Sequence, residues 1–238
     1  MQLILLAAGK GSRLPLKFRT APKCLIKIGN KSLLEHNLSF YKNFNNKFIV
    51  TGYKYKKLLP FIKKNNFKNF VNYNYKKTNM VDSLFRVIPK KKKNIVICYS
   101  DIIFDKNIYK NLIPEKNIII LKKNWINIWK GRMGYKNMIK DAEDVKVKNN
   151  KLISIGNIIK KKLPTYQYMG IIKLKSKDFF VLKNFYKKIN NKKIDFTSFL
   201  NAAIKKKIIK INVSITNRFW YEIDSSEDLN YTKKKIIW

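Results

Sequence analysis

The 238-residue sequence is poor in the residue types that most often carry covalent or metal chemistry: one histidine, two cysteines, and 14 acids against 53 lysines and arginines. Cys24 and Cys98 sit in apolar runs with no CxxC or Cys/His ligand spacing, which favours buried free thiols over a zinc site or a disulfide. His36, between Leu34 and Leu38 in a predicted helix, is expected to be structural. No run of about eighteen uncharged apolar residues occurs, so no membrane insertion is expected. The opening MQLILLAAGKGSR lacks the basic start and small-residue cleavage site of a signal peptide, and a cytoplasmic location is expected. There is no internal repeat and no linker-like stretch.

The charge imbalance, +39 at neutral pH, would ordinarily point to nucleic acid or an anionic surface. Arginine is nearly missing from it. Only Arg13, Arg19, Arg86, Arg132 and Arg218 occur, whereas phosphate and base recognition favour the planar, bidentate guanidinium. Lysine, asparagine and isoleucine are enriched together along the chain, as an AT-rich coding sequence would produce. The runs Lys90 to Lys93, Lys160 to Lys162 and Lys205 to Lys207 then read as solvated faces, and no nucleic-acid partner is expected.

What is present is a core. Hydrophobic residues make up 45% of the chain, enough for one sizeable α/β domain spanning residues 1–238. Gln2 to Ala8 reads as a buried strand running into a glycine loop. Ser32 with Glu35 has capping-box spacing and predicts a helix from Leu33 to Asn43. Segments 47–53 and 70–75 read as strands around a Pro-interrupted helix at 55–65. Asn79 to Ile88 has helical spacing, and 94–101 is an apolar strand ending in an acid. Such alternation predicts a mostly parallel, Rossmann-like sheet flanked by helices, with ligands at the carboxyl ends of its strands. The second half reads as short strands at 117–123, 144–156 and 168–174 with Asn-Asn or Gly turns, the small antiparallel additions or a hairpin flap. Helices near 178–188 and 197–205, strands 210–216 and 219–224, and a last helix opened by Ser225 or Ser226 complete the pattern.

Two local signals carry chemistry. The first is Leu6-Ala7-Ala8-Gly9-Lys10-Gly11-Ser12-Arg13-Leu14 followed by Pro22-Lys23. A glycine loop at a strand end lets backbone N–H groups approach a triphosphate, and Arg13 and Lys23 can neutralise charge that grows on a leaving pyrophosphate. It is neither a Walker loop nor a dinucleotide fingerprint. The second signal is a pair of acids ending apolar strands, Asp101 and Asp224.

The segment LAAGxGSRL with Pro-Lys some ten residues later resembles the sugar-phosphate and choline-phosphate nucleotidyltransferases. That resemblance implies a GT-A-like nucleotidyltransferase fold, residues 1–105 as the nucleotide half and 106–238 as the acceptor half. Tyr75 to Met80, Tyr99 to Ile102, Trp125 to Trp129 with Arg132, Asp141-Ala142-Glu143, Gln167 to Gly170, Thr197 to Leu200 and Trp220 to Asp224 are similar to the cytidylyltransferases that act on phosphocholine, phosphonates and phosphoglutamine. The loop departs from the family pattern, with Arg13-Leu14-Pro15-Leu16-Lys17 where Arg-Leu-x-Pro-Leu-Thr is usual, but the spacing from Arg13 to Lys23 is kept.

The resemblance implies CTP and a small phosphorylated acceptor as substrates, Mg²⁺ held by Asp101 and Asp224, and a product for cell-surface polysaccharide or lipid decoration. It leaves room for a homodimer. Mg²⁺ suits hard carboxylate oxygens supplemented by substrate phosphates; a turn role for Asp101 and a helix cap at Asp224 are the plainer readings. Lys23 and Arg13 are the expected catalytic residues. Leu6, Ala7, Ala8, Gly9, Lys10, Gly11 and Ser12 would hold phosphates, and Thr78, Asn79 and Ser83 the base and ribose, although Thr78 or Asn79 could simply cap a helix. Trp129, Arg132, Glu143, Tyr168 and Trp220 are acceptor candidates: aromatics with a carboxylate suit a quaternary amine, and Arg with Glu suits an amino acid. A sugar-1-phosphate nucleotidyltransferase would share the loop and the acids. A nucleic-acid-binding protein rests on charge alone, with no helix-turn-helix, RNP-like or zinc signature.

Overall fold

The computed structural model describes residues 1–159 and 162–236. A nine-stranded sheet runs through them. In chain order its strands are β1 (Gln2–Ala7), β2 (Asn46–Thr51), β3 (Lys68–Val71), β4 (Ile95–Tyr99), β5 (Ile118–Lys122), β6 (Glu143–Lys148), β7 (Lys151–Ile158), β8 (Gln167–Leu174) and β9 (Asn212–Thr216). The spatial order is β3-β2-β1-β4-β8-β5-β9-β7-β6. Strands β3, β2, β1 and β4 are parallel, β8 runs against both its neighbours, and β9 is parallel to β5.

β1 is buried along its whole length. Its side chains alternate between faces, Leu3 and Leu5 entering one core and Ile4 and Leu6 the other, so both faces must be apolar and the sequence reads as a continuous run. A third, smaller cluster joins Leu14, Ile26, Leu33, Ile103, Ile223 and Leu229. Leu14 adjoins Arg13, Ile103 follows Asp101 by two, and Ile223 precedes Asp224. This cluster therefore pins together the three segments that carry the charged residues.

Ser32 and Glu35 form the expected capping box, but the helix they open is short. It breaks at Asn37, whose φ of −96° and ψ of 7° separate Leu33–His36 from Leu38–Tyr41. The Asn37 side chain donates to the Ile102 carbonyl at 2.7 Å, a long-range bond that ties the break between the two helices to the strand after Asp101. Pro60 sits in the first turn of the helix Leu59–Lys64 rather than interrupting one. β3 ends at Val71, before Asn72, so the expected strand at 70–75 is shifted toward the N-terminus. The expected flap is the β6–β7 hairpin, turned by Asn149 and Asn150 at φ of 48° and 56°, the left-handed pair a tight hairpin needs. Trp220–Glu222 pairs with Ile102–Phe104 in a separate antiparallel ribbon.

The helix Trp125–Asp141 is absent from the sequence reading. Gly131 and Gly134 interrupt its apolar pattern, and Gly134 is non-helical within it. Lys90 to Lys93 and Lys205 to Lys207 are exposed; Lys160 and Lys161 of the third run lie outside the described residues. Among the described residues no helix is long and apolar enough to cross a membrane.

Candidate active site

The loop after β1 and the turn after β4 lie side by side because their strands are paired in parallel from Gln2 opposite Ile95 to Leu6 opposite Tyr99. Gly11 has φ of +65°, and a Cβ there would meet Leu14 and Lys23 at 3.3 and 3.4 Å. The turn thus needs glycine, and it folds the loop back so that Lys23 is held beneath it. From the ribbon, Glu222 and Asp224 are two residues apart and bring their carboxylates to the same place as Asp101. Ligand oxygens of Asp101, Glu222 and Asp224 all lie within 4.8 Å of one another.

Lys23 bridges two of these acids. Its Nζ is 2.5 Å from Asp101 Oδ2 and also pairs with Asp224. Burial alone would depress the lysine, but Asp101 and Asp224 outweigh it and hold it above its ordinary range. Burial likewise pushes Asp224 up, yet Lys23 and Arg13 bring it below the usual carboxylate range. Glu222 is held well above that range by burial and by Asp224, with Arg132 opposing. The trio is short of positive charge, and the buried Asp101 Oδ1 has no hydrogen-bond partner among the described residues. A hard divalent cation fits such a donor set.

Two adjoining cavities open on this cluster. The first is lined by Leu6, Ala7, Ala8, Gly9, Gly11, Lys23, Thr78, Asn79, Ser83 and Asp101 among others. Of the residues expected to bind nucleotide, Lys10 and Ser12 are not in its wall and are exposed. Asn79 also caps the helix Met80–Phe85, accepting from the Met80 N–H at 2.7 Å. Cys24 lines the same cavity as an inert thiol, pushed up to about 12 by burial and Asp101.

The second cavity brings together Arg13, Trp129, Glu143, Tyr168, Trp220, Glu222 and Asp224. Asn79, Met80 and Tyr99 line both cavities. The Trp129 and Trp220 rings stack at 4.9 Å. Glu143 faces Asp195 across one hydroxyl: Thr197 Oγ1 is 2.7 Å from Glu143 and 2.9 Å from Asp195. A hydroxyl has a single proton, so it can satisfy only one of the two carboxylates. Arg13 is salt-bridged to Asp224 at 2.5 Å and Asp141 at 3.3 Å.

Arg132 stands apart from the other acceptor candidates. It does not line the second cavity; it is buried against the Trp129 ring. There it pairs with Asp228 at 2.8 Å and approaches Glu222 at 3.6 Å. Asp228 in turn accepts the backbone N–H groups of Asp224 and Ser225. Ser225, not Asp224, is the cap of the last helix.

The sequence reading missed Glu222, Asp195 and Asn72. Period-2 spacing within Trp220-Tyr221-Glu222-Ile223-Asp224 could have placed Glu222 beside Asp224. Asp195 caps the helix Phe196–Lys205, and its place opposite Glu143 had no local signal.

A mostly parallel sheet whose strand ends present a glycine loop, a buried lysine and an acid trio between two adjoining cavities defines a nucleotidyltransferase. The MobA-like NTP transferase domain matches residues 3–124, and the chain belongs to that family. It is 30% identical over 260 residues to a CTP:phosphoglutamine cytidylyltransferase of Campylobacter jejuni subsp. jejuni serotype O:2, covering 99% of this chain and 100% of that one. In fold it is similar to the inositol-1-phosphate CTP transferase from T. maritima, at a TM-score of 0.78 and 18% identity over 98% of this chain and 94% of that one. The CTP:phosphocholine cytidylyltransferase from Streptococcus pneumoniae matches at a TM-score of 0.75 and 20% identity over 98% of both chains.

Proposed function

We propose that the protein transfers CMP from CTP to a small phosphorylated acceptor that carries an ammonium group, releasing pyrophosphate. The observation that supports this most is the pair of adjoining cavities, one walled by Lys23 and Asp101 and the other by Glu222 and Asp224, with Lys23 bridging Asp101 and Asp224 between them. A nucleotide in the first and an acceptor in the second would bring an acceptor phosphate oxygen to the α-phosphorus. The new P–O bond forms as the bond to pyrophosphate breaks, and no general base is needed because the nucleophile is already an anion.

Lys23 stabilises charge on the transferring phosphate, and the loop N–H groups orient the triphosphate. Mg²⁺ would be held by Asp101 and Asp224, with Glu222 beside them, and would offset the triphosphate charge and polarise the α-phosphate. The short polar wall of Thr78, Asn79 and Ser83 suits a pyrimidine. In the second cavity, Glu143 and Asp195 share one hydroxyl proton beside the stacked tryptophans, and a cation is what that arrangement lacks. Phosphoglutamine, phosphocholine and 2-aminoethylphosphonate all carry one. A cytidine diphosphate-linked product would serve a later transfer to a surface polysaccharide or lipid.

The test is pyrophosphate release with Mg²⁺, crossing the four NTPs with those three acceptors and a sugar 1-phosphate. The reading expects CTP with an ammonium-bearing acceptor to stand out. Turnover confined to the sugar phosphate, or to another NTP, contradicts it.

A further inference from the structure

Asn72 immediately follows β3 and is fully buried, with no exposed surface. Among the described residues its hydrogen bonds go to neither the acids nor the glycine loop, yet it organises one wall of the nucleotide cavity. Its Oδ1 accepts the backbone N–H of Asn74 at 3.0 Å. A backbone N–H can only donate, so this contact fixes which way the amide points. Nδ2 is thereby turned toward two hydroxyls, donating to Thr78 Oγ1 at 3.0 Å and to Ser83 Oγ at 2.9 Å. Both hydroxyls line the cavity.

The two hydroxyl protons have different fates. Thr78 gives its proton to the Asn74 carbonyl at 3.0 Å. Ser83 Oγ accepts from Asn72, and among the described residues it makes no hydrogen bond as a donor. Its proton is the one left to face a ligand. A ligand N–H placed against Ser83 could use the remaining lone pair but would leave a buried O–H without a partner, which is costly. A ligand acceptor satisfies it.

Cytosine and uracil differ in this respect at N3, a bare acceptor in cytosine and an N–H in uracil. We propose that Asn72, acting through Ser83, determines base choice by presenting a fixed hydroxyl donor to N3 of cytosine, so that CTP is selected over UTP. The proposal rests on the cytidylyl-transfer reading above. Asn72 is a positioning residue, and Ser83 makes the contact.

The experiment compares kcat/KM for CTP and for UTP with one acceptor in the wild type, Asn72→Asp and Ser83→Ala, each checked for folding by thermal unfolding. In Asn72→Asp the carboxylate still takes the Asn74 N–H but offers Ser83 an acceptor instead of a donor. The serine proton then turns inward and its lone pairs face the base. The CTP:UTP ratio should fall by about tenfold or more in both variants, and further in Asn72→Asp because UTP gains what CTP loses. An unchanged ratio in Ser83→Ala overturns the contact. An equal fall for both nucleotides in Asn72→Asp, as a merely structural role would give, overturns the role of Asn72. A wild-type protein with no preference for CTP sinks the cytidylyl reading itself, and this proposal with it.

Discussion

Lys23 and Asp224 are 201 positions apart in the chain and share an ion pair within the acid cluster. The pair ties the segment after the glycine loop to the C-terminal ribbon. Because Lys23 bridges Asp101 in the wall of the first cavity and Asp224 in the wall of the second, Lys23→Met should lower kcat by about 10²–10³, the usual cost of losing one preorganised charge-stabilising donor. Steady-state rates at saturating substrates check this, and a rise in KM with kcat unchanged would assign Lys23 to binding alone.

Behind the acids, Arg132 and Asp228 form a buried pair that holds the backbone of Asp224. Arg132→Met leaves Asp228 buried without its counter-charge and should cost about 3–5 kcal/mol. The double variant Arg132→Met with Asp228→Leu should recover part of that loss. Urea unfolding of the two single variants and the double variant measures the coupling; strict additivity would show that the pair does not act as a unit.

Burial raises Glu143 above the ordinary glutamate range, only partly offset by the Thr197 hydroxyl. An acid whose folded pKa is raised costs stability once pH passes its unfolded value, and the cost is complete above the folded value. Glu143→Gln should therefore unfold a few degrees higher than wild type at pH 8, at about 2–4 °C per kcal/mol for a chain of this size. Below the unfolded pKa, near pH 4, the gap should close. The same variant should raise KM for an ammonium-bearing acceptor. Equal melting temperatures at both pH values would mean that Glu143 is not strained.

Gly170 has φ of +74°, and a Cβ there would lie 2.8 Å from the Tyr99 ring. Both residues line the second cavity. Gly170→Ala must strain the backbone and displace Tyr99 together, and should destabilise by more than about 1 kcal/mol while raising acceptor KM. Denaturant midpoints and acceptor titrations read the two effects separately.

How far the sequence was legible follows from how local each signal is. β1 with its glycine loop, the Ser32 capping box and the Asn149-Asn150 turn are all written in neighbouring residues, and each appears where it was read. The helix Trp125–Asp141 was not legible, because two glycines break its periodicity and its stability comes from packing against the last helix and the Trp220 ribbon. The first cavity gathers eight of the ten residues expected to bind nucleotide. Arg13 and Arg132 illustrate the limit: side-chain chemistry suggested phosphate and acceptor contacts, but whether an arginine lines a cavity, as Arg13 does, or turns to a buried acid, as Arg132 does to Asp228, depends on tertiary neighbours. Asn72 gave no signal at all, since a buried asparagine is meaningful only once its partners Thr78 and Ser83 are placed.

The most direct test of cytidylyl transfer is to follow the phosphorus resonances of CTP and phosphoglutamine, phosphocholine or 2-aminoethylphosphonate incubated with the protein and Mg²⁺. The account predicts that the acceptor and triphosphate signals fall together while pyrophosphate and a coupled pair of diphosphate-bridge signals grow, and that Asp101→Ala abolishes the change. An acceptor signal that stays constant for all three compounds, with CTP either untouched or merely hydrolysed, would contradict it.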